Sequence, residues 1–159
     1  MTTYTAPVRD MRFVLHELFD APGKLTALPG FEDATADVLD AVLDECAKLC
    51  EEVLFPLNQT GDQVGCTIKD GAVTTPPGFK DAYAQYAAGG WCGLTASPEF
   101  GGQGLPETLD CLVAEMIGSA NLSLGLYPGL TQGTILTLSA LGTADQKTTY
   151  LPKLIGGTW

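Results

Sequence analysis

The sequence predicts an all-α fold, a helical bundle domain that carries one small β-hairpin over Cys66–Thr75. Three observations lead there. Apolar residues recur three and four apart in several long segments, those segments open on recognisable helix starts, and only around Asp70-Gly71 do two short β-prone runs flank a turn. At 159 residues, 45% of them hydrophobic, the chain can bury one core without disulfides or a structural metal.

From Pro7 to Asp20, Met11, Val14, Leu15 and Leu18 sit at helical spacing, and Ala21-Pro22-Gly23 supplies a stop. This short amphipathic helix either lies on the chain's own core or docks on a partner. A longer helix, capped by Asp33 or Thr35, follows with Leu39, Val42, Cys46, Leu49, Val53 and Leu57 as its buried stripe and Pro56 near its end. Its other face carries Asp37, Asp40, Asp44, Glu45, Glu51 and Glu52 with Lys48 as the one cation. Carboxylates spread along an exposed helix do not converge on one ion, so this is read as a solvated face. Asp70-Gly71 suits a type I′ turn, which needs two positive φ values. Pro76-Pro77 opens a helix from about Gly78 to Ala88 with Phe79, Tyr83 and Tyr86 or Ala87 inward, and Gly89-Gly90 closes it.

The segment Gly89–Gly104 holds six glycines and a proline but is no phosphate loop. A G-x-G-x-x-G pattern would need glycine where Glu107 stands, no strand precedes it, and no Gly-Lys-Ser/Thr occurs. It is expected to be a tight surface connection. Pro106-Glu107 then starts a helix with Leu109, Leu112, Val113, Met116 and Ile117 on its apolar side.

From Met116 to Ala144 no residue is charged. A membrane span is rejected, because Pro128 breaks the run and Asn121, Gln132 and several hydroxyls would be costly in lipid. A helix uncharged all round is expected to be enclosed by protein, as a central core helix or as one wall of a cavity for an apolar ligand. Tyr127, Leu130, Thr131 and Thr134, at i, i+3, i+4 and i+7, share one face and are the candidate lining residues. Gly142 ends the helix, and Thr143-Ala-Asp-Gln146 forms a capping box for a final helix to about Ile155. Gly156-Gly157-Thr158-Trp159 begins something extended, and the polypeptide is expected to continue.

Eight basic against 19 acidic side chains give a net charge of −11, which argues against nucleic acid and against a polybasic membrane anchor. Cys46, Cys50, Cys66, Cys92 and Cys111 form no C-x-x-C pair, and His16 is far from all of them, so no zinc spacing exists. Reduced, mostly buried thiols in a cytoplasmic compartment are expected, with no signal peptide at the start. Asn58-Gln-Thr60 and Asn121-Leu-Ser123 match the glycosylation sequon, by chance in that compartment.

Gly90-Trp-Cys-Gly-Leu-Thr-Ala-Ser-Pro-Glu-Phe-Gly-Gly-Gln-Gly-Leu-Pro106, followed by Leu141-Gly-Thr-Ala-Asp-Gln-Lys-Thr-Thr-Tyr-Leu-Pro-Lys-Leu154, resembles the amino-terminal helical domain of acyl-CoA dehydrogenases. Tyr4–Phe13 is similar to the added N-terminal segment of the longer bacterial members. The resemblance implies residues 1–30 as an extension, 31–155 as the helical domain and 156–159 as the start of a β domain. It further implies FAD, an acyl-CoA substrate, an electron-transferring flavoprotein or similar acceptor, and a homodimer or tetramer. In that chemistry a glutamate takes the α proton and the β hydrogen leaves as hydride to the flavin N5. The glutamate and most of the flavin cleft are expected beyond Trp159. No catalytic residue is assigned here, and Glu99 in its loop motif is not the base. Tyr127, Leu130, Thr131 and Thr134 would then wall the acyl end of the pocket, in a fragment inactive alone. The alternatives are a free-standing helical module binding an apolar ligand or partner helix, and an adaptor acting through its first helix.

Overall fold

The computed structural model describes residues 3–159. Helix α1 (Val8–Arg12) widens into a π-helical stretch, Phe13–Leu18, and turns Met11 and Leu15 into the core. Its polar side meets the next long helix. Arg12 Nη2 donates to Asp44 Oδ2 at 2.7 Å, and His16 Nε2 donates to Asp40 Oδ1 at 2.8 Å. The first helix therefore lies on its own chain. Ala21-Pro22-Gly23 does not stop a helix but starts one, α2 (Ala21–Leu25), because a first-turn proline lacks only an amide that has no helical partner anyway. The break falls one residue earlier, at Asp20, whose φ is 47°.

Helix α3 (Ala36–Lys48) is capped by Thr35, whose hydroxyl accepts from the Val38 N–H at 3.4 Å. It passes through a second π-helical stretch, Leu49–Leu54, into α4 (Phe55–Val64), so Pro56 sits in a first turn and ends nothing. The wide turn absorbs the amide that proline lacks, and its extra residue re-phases the buried stripe. Leu39, Leu43, Cys46, Cys50 and Leu54 are buried, while Val42, Leu49, Val53 and Leu57 are half-buried. The acidic face is also more than a solvated one. Asp40 and Asp44 hold Arg12, and Glu51 accepts the Ala6 N–H at 2.9 Å. Among the described residues no group of His, Cys, Asp or Glu is arranged for a metal.

Strands β1 (Thr67–Lys69) and β2 (Ala72–Thr74) pair antiparallel with Ile68 opposite Val73. Asp70 and Gly71 between them have φ of 51° and 79°, the two positive values the turn requires. Helix α5 (Phe79–Ala88) buries Phe79 and Tyr86 and half-buries Tyr83. The glycine-rich segment after it is not a surface connection. Trp91, Cys92, Gly93 and Leu94 are buried, and the chain folds back so that the N–H groups of Gln103, Gly104 and Leu105 bond the carbonyls of Gly93, Ala96 and Leu94. Gly102 permits that approach, since a Cβ there would collide with the Ala96 carbonyl oxygen.

Helix α6 (Glu107–Leu141) and α7 (Ala144–Ile155) complete the fold, α7 opening on the Thr143/Gln146 capping box. The first half of α6 supplies Leu109, Val113, Met116, Ile117 and Ala120 to the main core. By length and composition α6 is long and apolar enough to cross a membrane. Its second half is not enclosed as the sequence suggests. Only Leu124, Pro128 and Ile135 are buried there, Ile135 in a small second cluster with Ala96, Leu151 and Ile155. Leu122, Leu126, Leu130, Leu136 and Leu141 are exposed. The absence of charge thus marks a surface left uncovered by this chain, not a helix buried within it. The fold is mostly helical with one two-stranded sheet.

Candidate functional site

The site begins with a bend. At Asn121, φ −158° and ψ 87° break the helical ladder of α6, and the residue is 1% exposed. Its side chain repairs both sides of the break. Nδ2 donates to the Leu54 carbonyl at 3.0 Å, and Oδ1 accepts the Leu124 N–H at 3.1 Å, the bond an N-cap makes to the third residue of a new helix. Asn121, one of the two sequon asparagines, is therefore a core residue.

Along the bend runs a narrow groove of about 150 Å³. Val113 and Ile117 from the first half of α6, and Leu122 and Leu126 from the second, form its apolar walls. Glycines keep it open. A Cβ at Gly125 would meet Ile117 Cγ2 at 3.1 Å, and one at Gly129 would meet nothing within 4 Å and so project into free space. Three polar groups share the lining, namely Tyr86, Asp110 and Gln132. The Tyr86 hydroxyl donates to the Trp91 carbonyl at 3.3 Å, and Gln132 Nε2 donates to the Cys92 carbonyl at 2.8 Å. Burial, with the nearby Glu107 charge second, raises the Asp110 carboxyl above its ordinary range.

The four sequence candidates are not gathered in this groove. Tyr127, 41% exposed, lines a wider cavity of about 450 Å³ with Thr75, Phe79, Lys80 and Tyr83, its ring edge-on to Phe79 at 6.2 Å between centroids. Partial burial first, and the adjoining Cys66 thiol second, raise its phenol. Leu130 is 82% exposed and, like Thr131 and Thr134, lines neither cavity. Thr134 bonds back to the Leu130 carbonyl at 3.4 Å. The groove uses Leu122, Gly125, Leu126 and Gly129 instead, further round the same helix. Gly125, Gly129 and Gly133, four apart, were the available signal, because that spacing strips one helix face of side chains.

The glycine-rich segment spends its amides internally, as those of Gly101, Gly102, Gln103, Gly104 and Leu105 all donate within the loop. Glu99 is exposed and its N–H donates to Ser97 Oγ at 3.3 Å, the geometry of a local turn.

Residues 37–158 match the family described as Acyl-CoA dehydrogenase, N-terminal domain. The chain belongs to the acyl-CoA dehydrogenase family and spans its N-terminal domain. It is 40% identical over 157 residues to 3-methylmercaptopropionyl-CoA dehydrogenase of Ruegeria pomeroyi, which covers 99% of this chain and 26% of that protein. It is 30% identical over 164 residues to a butyryl-CoA dehydrogenase of Syntrophomonas wolfei, covering 98% of this chain and 26% of the relative. A 66-residue stretch is 44% identical to the mitochondrial isovaleryl-CoA dehydrogenase of Solanum tuberosum, covering 41% of this chain and 16% of that protein. The chain spans about a quarter of the length of the first two relatives.

Proposed function

We propose that this chain is the N-terminal part of a flavin-dependent enzyme that removes hydrogens from the α and β carbons of an acyl-CoA thioester, and that it walls the acyl pocket. The observation that carries this reading is the glycine-opened groove at the bend of α6, largely apolar in its lining with Asp110 as its one acidic residue. An apolar tail loses water as it enters such a groove, while the glycines let it lie against backbone. FAD supplies the hydride acceptor when bound, held by polypeptide outside residues 1–159. Here the residues around Leu122, Gly125, Leu126 and Gly129 bind the tail and exclude water, and no described side chain is placed as the base. Leu130, Thr131 and Thr134, with Tyr127, border the same helix and would face whatever packs on it.

On this reading residues 1–30 are an extension, 31–155 the helical domain and 156–159 the opening of a β domain. The whole enzyme is cytoplasmic, passes electrons to an electron-transferring flavoprotein or similar acceptor, and forms a homodimer or tetramer. The test is expression of residues 1–159 beside the same chain with its genetic continuation. The longer protein is expected to bind FAD and reduce an artificial acceptor with acyl-CoA, and the shorter to do neither. Flavin binding and turnover by the short chain would overturn the division of labour. Tight binding of a free fatty acid by the short chain, without any activity in the long one, would favour a free-standing lipid-binding module.

A further inference from the structure

The groove's polar groups all ask for the same thing. Tyr86 has already committed its hydroxyl proton to the Trp91 carbonyl, and the Gln132 amide nitrogen is committed to the Cys92 carbonyl. A carbonyl only accepts, so the nitrogen assignment of Gln132 is fixed by chemistry and its Oε1 remains as an acceptor with no hydrogen-bond partner among the described residues. The Asp110 carboxylate has no hydrogen-bond or ion-pair partner among the described residues, and it too only accepts when ionised. A plain alkyl tail filling this space would strip water from these acceptors and give nothing back, which is the costly way to bury a polar group.

Resting on the acyl-pocket reading above, we propose that the substrate is a short acyl-CoA whose far end carries a hydrogen-bond donor, a terminal hydroxyl being the simplest, with Asp110 and Gln132 as the residues that select it. The size agrees. A groove of about 150 Å³ is small beside the ~300–1,000 Å³ of ordinary ligand pockets, so it suits a short tail. Asp110, in the first turns of α6, and Gln132, beyond the bend, line this one groove, so a tail that fills it meets both.

The experiment uses the full-length enzyme with 6-hydroxyhexanoyl-CoA, hexanoyl-CoA and 3-(methylthio)propionyl-CoA, comparing kcat/KM. The hydroxylated tail is expected to exceed hexanoyl-CoA by about tenfold or more, the scale of one buried polar group left unpaired. In Asp110→Val the order is expected to reverse, chiefly through KM, while Asp110→Asn retains an intermediate ratio because its amide oxygen still accepts. A wild-type ratio near one, a ratio unchanged in both variants, or a clear preference for the thioether tail overturns the selection rule and leaves acyl-CoA oxidation standing. No oxidation of any of the three, nor of butyryl-CoA, overturns the acyl-pocket reading and this inference with it. The wild-type ratio decides the matter even if a variant fails to fold.

Discussion

Asn121 replaces with one amide what the backbone loses where α6 bends, bonding Leu54 on one side and Leu124 on the other. Asn121→Ala leaves a buried carbonyl and a buried N–H without partners, so a loss of about 2–3 kcal/mol is expected from cap and desolvation together, read from urea unfolding midpoints. The two aspartates of interest respond to pH in opposite senses. Asp110 is raised by burial, so the folded chain holds its proton to higher pH than the unfolded chain does, and ionising it as pH climbs above the ordinary value of about 3.9 costs stability. Asp110→Asn should therefore gain on wild type in melting temperature as pH rises above about 3.9; a gap that shrinks with rising pH contradicts the assignment. For Asp40 burial would raise the carboxyl, but hydrogen bonds from His16 and Arg12 win and lower it. Its contribution is present above about pH 3.9 and fades as pH falls through the depressed value. Being partly exposed, the pair contributes only about 0.5 kcal/mol, and Asp40→Asn should cost that much at pH 7 and nothing at the acid end.

At the scale of elements, what local chemistry writes was legible and what packing decides was not. The Thr143/Gln146 box, the Thr35 cap and the Asp70-Gly71 turn each need only residues within a few positions, and each stands where the sequence places it. The π-helical stretches at Phe13–Leu18 and Leu49–Leu54 leave no such mark, since an added residue in a turn is tolerated only by neighbours far along the chain. The bend hid for a similar reason, because apolar spacing runs through Asn121 without interruption and its partner Leu54 is 67 positions away. Hence the four sequence candidates lie on the helix that lines the groove but on another face of it. Gly129→Ala separates fold from function here. With no atom within 4 Å of the new methyl, the helix should gain up to about 0.5–1 kcal/mol, while turnover of hexanoyl-CoA by the full-length enzyme should fall several-fold as the groove narrows. A stabilised variant with undiminished turnover would place the tail elsewhere.

Across the whole molecule the thiols report how the core is sealed. Cys46, Cys50 and Cys92 are buried, and burial raises Cys92 while the close Cys50 sulfur, then burial, raises Cys46. Only Cys66 and Cys111 are exposed, so a thiol reagent at neutral pH should label two groups quickly and the other three only on unfolding. The uncovered leucines on the second half of α6 bear on behaviour in a test tube. Two opposing forces meet on that surface: a greasy ridge that favours clustering and a charge of −11 that keeps copies apart. Added electrolyte shortens the reach of the second and leaves the first intact. The 159-residue polypeptide should sediment as a single species at about 20 mM sodium chloride and grow in mass toward about 500 mM, the reverse of what a charge-paired oligomer does.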